Sequence, residues 1–149
     1  MPKLDLDAIP QTNATGYPPQ YADVVQGRWY RRLAPAGGVT DFGLSHVTLK
    51  PGAWSSQRHW HEGEDEFVVV LAGEVVLVDE AGEHVMRAGD VAAFPKGDGN
   101  GHVLQNRSDG DCVFVAIGCE QKTDCHYPDI DMHLFAGASE QRRKDGSRF

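Results

Sequence analysis

Short apolar runs separated by glycine, proline and aspartate dominate the chain from Trp29 onward. Runs of strand length that alternate with turn sequences such as Pro51-Gly52 and Ala88-Gly89-Asp90 are typical of β-structure. No segment combines sustained helical periodicity with capping residues, so we expect little helix. The predicted strands are 29–33, 40–49, 54–61, 66–71, 74–79, 84–87, 91–94, 102–106, 112–118 and 129–135.

Strands this short and this closely spaced predict an all-β sandwich or barrel. Two of them, 75–78 and 113–117, are apolar at every position, so we expect both of their faces to be covered. Residues 1–28 are rich in Pro, Gln, Asn and Gly, and are predicted to form an extended N-terminal arm. The polar residues 136–149 are predicted to form a C-terminal tail.

Composition indicates which kinds of binding partner and which cellular location to expect. The chain has 149 residues, with 22 acidic against 14 basic side chains and a formal net charge of -8. A length of this order supports one hydrophobic core, and the acidic balance argues against binding nucleic acid or anionic membranes. We find no signal segment and no apolar run of membrane-spanning length. Cys112, Cys119 and Cys125 fit no disulfide framework or standard zinc spacing, so we predict a cytoplasmic protein with reduced thiols.

The sequence His59-Trp60-His61 carries the strongest chemical signal. On a strand, residues two apart share a face, so the two imidazoles point the same way. After the turn 62–65, Glu66 begins the next strand, and His102 follows the glycine-rich loop 95–101. Three imidazoles and one carboxylate suit a single divalent first-row metal ion such as Zn, Fe, Mn or Ni. On this motif alone, the alternative of a surface His pair beside a solvated acidic turn stays open.

Other polar residues near the motif have two interpretations each. Gln57 shares the strand face of His59 and either lines the pocket or packs. Asn106 shares the face of His102 and either supports that ligand or caps a turn. Lys96 either meets an anionic substrate or faces solvent. The histidines interpreted as surface or hydrogen-bonded core residues are His46, His84, His126 and His133.

Two motifs with wider spacing resemble those of the cupin superfamily, over roughly residues 42–118. The first contains Gly52, His59, His61, Glu66 and Gly73. The second contains Gly89, Pro95, Gly97, His102 and Asn106. The chain is also similar to a group of small bacterial single-domain cupins, some of which carry sugar-isomerase labels.

The resemblance implies a single-domain cupin-type antiparallel jelly-roll barrel over residues 29–135, with a metal ion in its mouth. The positions that match the family's metal ligands are His59, His61, Glu66 and His102. It also implies a homodimer, with the N-terminal arm suited to reach a partner's sheet. We therefore expect a metal-dependent enzyme of isomerase, dioxygenase or lyase type that acts on a small oxygen-rich metabolite. The alternative is a non-catalytic module that binds or senses a small molecule through the metal.

Overall fold

The computed structural model describes residues 2–149, and antiparallel strands make up most of its regular structure. The strands are β1 (Arg28–Arg32), β2 (Gly43–Leu49), β3 (Trp60–His61), β4 (Glu66–Ala72), β5 (Glu74–Asp79), β6 (Gly82–Arg87), β7 (Val91–Phe94), β8 (Val103–Gln105), β9 (Cys112–Gly118), β10 (Cys125–His126) and β11 (His133–Leu134). The helices are α1 (Pro19–Ala22) and α2 (Leu33–Ala36), and two 3₁₀ turns span Leu6–Ala8 and Asp23–Val25. The predicted all-β class is confirmed.

Backbone hydrogen bonds arrange the strands of residues 2–149 in three antiparallel sheets. A five-stranded sheet has the order β1-β2-β9-β4-β7, and two three-stranded sheets have the orders β6-β5-β8 and β11-β10-β3. These bonds do not join the strands into one closed sheet, so the jelly-roll barrel stays a prediction. The predicted limits of arm, barrel and tail stay predictions as well.

Strands β5, β7 and β9 have the predicted bounds, whereas the strand predicted over 54–61 is wrong for most of its length. Only Trp60–His61 is a strand there, and Trp54 and His59 form isolated bridges with Gln105 and His102. Between these bridges the first segment has more residues than the segment opposite, so the surplus residues bulge out of the pairing. The strand predicted over 129–135 is reduced to β11, and the short helix α2 was not predicted.

The main core lies between the five-stranded sheet and the sheet β6-β5-β8. Alternation along β4 buries Val68 and Val70 and leaves Phe67 on the outer face. Glu66 has the same parity as Val68, so its carboxylate points toward the interior. The side chains that form this core include Val47, Leu49, Val75, Leu77, Met86, Phe94, Leu104 and Phe114.

The N-terminal segment packs against the rest of its own chain. Thr12 pairs with Tyr30 of β1, and Val25 is completely buried. Tyr17 and Tyr21 pack on a second cluster formed by Cys125, Tyr127 and Met132. Short helical turns interrupt the segment, so it is not extended throughout as predicted. Within residues 2–149, every helix is too short to cross a membrane.

Candidate metal centre

The four predicted ligands come from three parts of the fold. His59 and His102 pair through an isolated antiparallel bridge, so both side chains leave the same face of the backbone. His61 lies two residues further on, in β3, and Glu66 is the first residue of β4. The turn between them is held by Glu64, whose carboxylate accepts hydrogen bonds from the backbone N–H groups of Lys122 and Thr123. The structure therefore brings all four side chains together.

Three imidazole nitrogens converge on one carboxylate oxygen. The Nε2 atoms of His59, His61 and His102 lie 3.4, 3.5 and 2.9 Å from Oε2 of Glu66. Two ligands at right angles on a metal, with bonds of about 2.0–2.2 Å, are themselves about 3 Å apart. The observed separations are close to this value. The ligand atoms of His59, Glu66 and His102 all lie within 4.8 Å of one another, whereas His61 belongs to a second such group, with His59 and Cys125, so a shift of the His61 side chain would complete the four-ligand set.

The protonation of His59 gives a second test of this fit. Its Nδ1 lies 2.9 Å from the carbonyl oxygen of Gln57, and a carbonyl only accepts, so Nδ1 carries a proton. In the neutral ring, Nε2 then presents a lone pair to the Glu66 carboxylate. A metal ion between these two atoms would satisfy both, as does a second proton on the ring, which the raised pKa of His59 favours when no metal is bound. The tautomer is the one that a ligand coordinating through Nε2 requires.

The electrostatics of the cluster keep Glu66 charged. Burial raises the pKa of Glu66, but hydrogen bonds from the imidazoles, first of all His102, outweigh burial and hold the pKa well below its usual range. Burial also lowers the pKa of His59, and there Glu66 overcomes the effect and raises the pKa. At His102 burial dominates, and the pKa is lowered. A carboxylate anion among imidazoles is the charge state that metal binding needs.

The ring of His102 is oriented by packing. It stacks on Phe94, with ring centroids 3.6 Å apart and planes 6° from parallel. Its Nδ1 is buried and has no hydrogen-bond partner among the described residues. The stack with Phe94 therefore fixes the plane in which Nε2 can approach an ion.

Cys125 adjoins the centre and was not foreseen as part of it. The ligand atoms of His59, His61 and Cys125 lie within 4.8 Å of one another, because β10 pairs with β3 at Cys125 and His61. Burial raises the pKa of this thiol to about 12, so it remains protonated at neutral pH in the absence of a metal ion. A two-residue strand has no periodicity, so the sequence offers no signal for this contact.

A cavity of about 430 Å³ adjoins the centre and is lined by His59, Glu66 and His102. Arg28, Tyr30 and Arg32 line it too, since alternate residues of β1 share a face. The Nε atom of Arg28 is buried without a hydrogen-bond partner in the described part of the chain. These arginines were not predicted to line a site, although their two-residue spacing on a predicted strand was a usable signal. The cavity thus combines the metal-ligand cluster with two guanidinium groups.

The three polar residues with open interpretations have other contacts. Gln57 donates from Nε2 to the carbonyl oxygen of Tyr21, at 2.9 Å, and so holds the N-terminal segment. Asn106 donates to the carbonyl oxygens of Leu49 and Gly110, which supports the turn-capping interpretation. Lys96 is exposed.

Comparison with known proteins agrees with this geometry. The family model described as "Cupin domain" matches residues 45–118. A solved structure described as a sugar phosphate isomerase from a cupin superfamily, from Silicibacter pomeroyi, is 46% identical, with a TM-score of 0.92 over 99% of this chain and 96% of that one. A protein of Acidithiobacillus ferrooxidans, provisionally named a sugar phosphate isomerase, is 27% identical, with a TM-score of 0.71 over 77% of this chain and 74% of that one.

A curated relative, the oxalate-binding protein of Thermotoga maritima, is 34% identical over 74 residues. The match covers 50% of this chain and 59% of that protein, so it spans less than two thirds of the relative's length. On the family match, the near full-length relative and the converging ligand set, the chain belongs to the cupin superfamily.

Proposed function

We propose that this protein is a metal-dependent isomerase of a small anionic sugar derivative, and that His59, His61, Glu66 and His102 bind its metal ion. The observation that carries the proposal is the convergence of three Nε2 atoms on Glu66 Oε2 beside a cavity. The relative of 46% identity described as a sugar phosphate isomerase favours isomerisation over the dioxygenase and lyase alternatives.

The arginines of β1 supply the affinity for an anionic group. Arg28 and Arg32 line the same cavity as the ligand cluster, and a guanidinium binds phosphate or carboxylate through paired hydrogen bonds. Two nitrogens of Arg28 donate to backbone carbonyl oxygens, one to Ser55 at 2.8 Å and one to Ala14 at 3.4 Å, which fixes the side chain while Nε stays unpaired. If the anionic group of the substrate binds at this end of the cavity, the sugar oxygens of the substrate would point toward the metal centre.

A divalent ion in the centre would supply Lewis acidity toward a carbonyl or hydroxyl oxygen of the substrate. Residues of the chain hold the metal-binding imidazoles in place around that substrate oxygen. The bridge between His59 and His102 keeps two imidazoles in register, and Phe94 keeps the ring of His102 in its plane. The anion contact at Arg28 orients the substrate relative to this fixed frame, which is the positioning that an intramolecular proton shift requires.

The test is turnover of a panel of aldose and ketose phosphates, followed by NMR, with protein loaded with Zn²⁺, Mn²⁺, Fe²⁺ or Ni²⁺. We expect conversion of at least one compound, loss of conversion after chelation, and loss in His102→Ala. Arg28→Gln should raise KM more than it lowers kcat. A loaded protein that binds members of the panel and converts none of them would contradict the isomerase assignment.

The second candidate function is non-catalytic binding of a small anion, favoured by the identity with the oxalate-binding protein. In that case the metal and Arg28 would only hold the ligand. Oxalate would then raise the melting temperature of the metal-loaded protein with the logarithm of its concentration above the Kd, and would be recovered unchanged. An isomerase of sugar phosphates should instead discriminate against oxalate in favour of its substrate.

We also propose that the chain forms a homodimer through the outer face of the five-stranded sheet. Phe67 and Val91 lie on neighbouring strands of that face with 39% and 58% of their surface exposed. Clustered exposed apolar side chains mark an interaction surface. Light scattering should give twice the chain mass for wild type and for Val85→Glu, whose site on β6 is 50% exposed, but a monomer for Val91→Glu. The cytoplasmic location stays a prediction.

A further inference from the structure

A second group of metal-ligating side chains lies apart from the centre already described. The ligand atoms of Asp124, His126 and His133 lie within 4.8 Å of one another. Glu62 joins them, because its Oε1 is 2.7 Å from Nε2 of His126. Two imidazoles and two carboxylates therefore gather on the sheet β11-β10-β3.

This group faces away from the first centre. In β10, Cys125 points toward His61, and the next residue, His126, points to the opposite face of the sheet. Register places His126 beside His133 on one side and Trp60 on the other. The two groups therefore occupy opposite faces of one three-stranded sheet and share no ligand.

The side chains are held in place by contacts outside the group. The ring of His126 stacks on Trp60, with centroids 4.1 Å apart and planes 6° from parallel. Oδ1 of Asp124 accepts the backbone N–H of Ala136 at 2.7 Å, and Oδ2 lies 2.8 Å from Nε2 of His133. The backbones of Glu62 and Asp124 are also joined, since Glu62 N–H donates to the Asp124 carbonyl oxygen. Supporting contacts of this kind orient the ligands of metal sites.

We propose that Glu62, Asp124, His126 and His133 form a structural site for one Zn²⁺ ion. Two imidazole nitrogens and two carboxylate oxygens complete the four-coordinate set that zinc prefers, at bond lengths of about 2.0–2.2 Å. Nε2 of each imidazole lies within hydrogen-bond distance of a carboxylate oxygen, and a bound ion would take the place of these two hydrogen bonds. The donor atoms of Asp124, His126 and His133 already lie within 4.8 Å of one another. Glu62 contacts His126 alone, and rotation of its half-exposed side chain would bring its carboxylate to the ion.

The place of the site in the fold gives it a stabilising role. His133 belongs to β11, which pairs with β10 and, through the bridge from His133 to Arg142, with the C-terminal segment. Glu62 follows β3, which carries His61 of the first centre. An ion bound here would join the C-terminal segment to the strand that supports the first centre, and the melting temperature should rise with the logarithm of the free zinc concentration once it exceeds the Kd.

The experiment uses a parent variant, His59→Ala with His102→Ala, that lacks the first centre. Zinc titration of this parent, followed by equilibrium dialysis and elemental analysis, should give one equivalent per chain. Adding His126→Gln and His133→Gln should remove that equivalent, whereas adding His84→Gln should leave it. His84 is the matched control, because it also forms a surface pair with a carboxylate, that of Asp79, but without a second pair beside it.

Cobalt substitution gives a readout that simple stabilisation would not produce. Co²⁺ in the parent should show the intense visible absorption of a four-coordinate site, and His126→Gln should abolish it. If the parent does not fold, the same single substitution in the wild-type chain should remove one bound equivalent of zinc. The proposal is overturned if zinc binding is unchanged by loss of His126 and His133, or if the folded parent binds none. Either result leaves the assignment of the first centre unaffected, because the parent variant lacks that centre and its zinc stoichiometry reports only on the second site.

Discussion

His59 and His102 face each other across an isolated antiparallel bridge, in which the backbone N–H of each donates to the carbonyl oxygen of the other, at 3.1 and 2.9 Å. Two ligands far apart in the sequence thus share one backbone frame. Their side chains leave it on the same face, toward Oε2 of Glu66. The bridge makes the geometry of the centre a property of the backbone, so loss of one imidazole removes a ligand and leaves the frame.

The first prediction concerns metal content. His102→Ala should bind one equivalent of divalent metal fewer per chain than wild type, because the remaining ligands lose the nitrogen nearest to Glu66 Oε2. Elemental analysis after dialysis against a fixed concentration of free metal measures the difference. His84→Ala removes an exposed imidazole and should keep the wild-type content. Equal metal content in wild type and His102→Ala would show that the four residues are not the ligands.

The second prediction tests the stacking of Phe94 on His102. Phe94→Leu removes the ring that sets the plane of the imidazole, so metal affinity should fall by about 10–100-fold, as for other residues that orient ligands. Isothermal titration with Zn²⁺ or Ni²⁺ measures the change. Phe42→Leu makes the same chemical change at a residue that is 45% exposed and does not line the cavity beside the centre, and it should leave the affinity within experimental error. The stack has no positioning role if both variants bind equally well.

Alternation and spacing located most of the centre in advance. His59 and His61 share a face on any strand, and Glu66 starts the strand that returns, so these three follow from periodicity and one turn. His102 followed from its place after a glycine-rich loop. In the structure this loop is fastened beside the His59–His61 segment. Gly97, with a positive φ of 69°, donates its N–H to the carbonyl oxygen of His61.

The parts that sequence reasoning missed depend on pairing between distant segments. The contact of Cys125 with the centre arises from register between two-residue strands, which have no pattern of their own. The strand predicted over 54–61 is wrong because this segment has more residues between its two bridges than the segment opposite, and the sequence of 54–61 alone does not show that difference. The hydrogen bonds of Asn106 to Leu49 and Gly110, which favour the turn-capping interpretation, are likewise set by the fold.

The third prediction follows from those bonds. Asn106 is 1% exposed, and its side chain also accepts the backbone N–H and the hydroxyl of Ser108. Asn106→Ala would remove the side-chain donor from the buried carbonyl oxygen of Leu49 and the acceptor from the Ser108 N–H, so the free energy of unfolding should fall by about 1–3 kcal/mol. Metal affinity should not change, because no bond of Asn106 reaches a ligand.

Urea unfolding and metal titration of the same Asn106→Ala sample separate the two interpretations of this residue. Asn13→Ala is the control, since Asn13 makes a single exposed hydrogen bond, to the carbonyl oxygen of Gln26. Asn13→Ala should lower the free energy of unfolding by less than about 1 kcal/mol. A loss of metal affinity in Asn106→Ala without a loss of stability would instead favour a role in supporting His102.

The last prediction concerns Arg58, which precedes His59 and ties three segments together. Its guanidinium makes paired hydrogen bonds to Asp129, both at 2.8 Å, and further bonds to Glu80 and to the carbonyl oxygen of Gly101, next to His102. The side chain is only 16% exposed, so these bonds are partly shielded from water. Arg58→Gln should lower the free energy of unfolding at pH 7 by about 1–2 kcal/mol, since Asp129 and Glu80 remain solvated.

The effect should depend on pH with a definite sign. The hydrogen bond from Arg58 holds the pKa of Asp129 below its usual range, so the folded state binds fewer protons than the unfolded state in that range. The stabilisation is therefore present above the ordinary aspartate pKa, about 3.9, and is lost as the pH falls through the folded pKa. In urea titrations at several pH values, the difference in the free energy of unfolding between wild type and Arg58→Gln should be constant at neutral pH and shrink below about pH 4.

Arg107→Gln is the control. It removes an equally short but exposed pair with Glu83 and should change stability little at any pH, because exposed ion pairs contribute little. If Arg58→Gln cost no more than Arg107→Gln at pH 7, the contacts of Arg58 would be surface ion pairs without a role in holding the segment before His102.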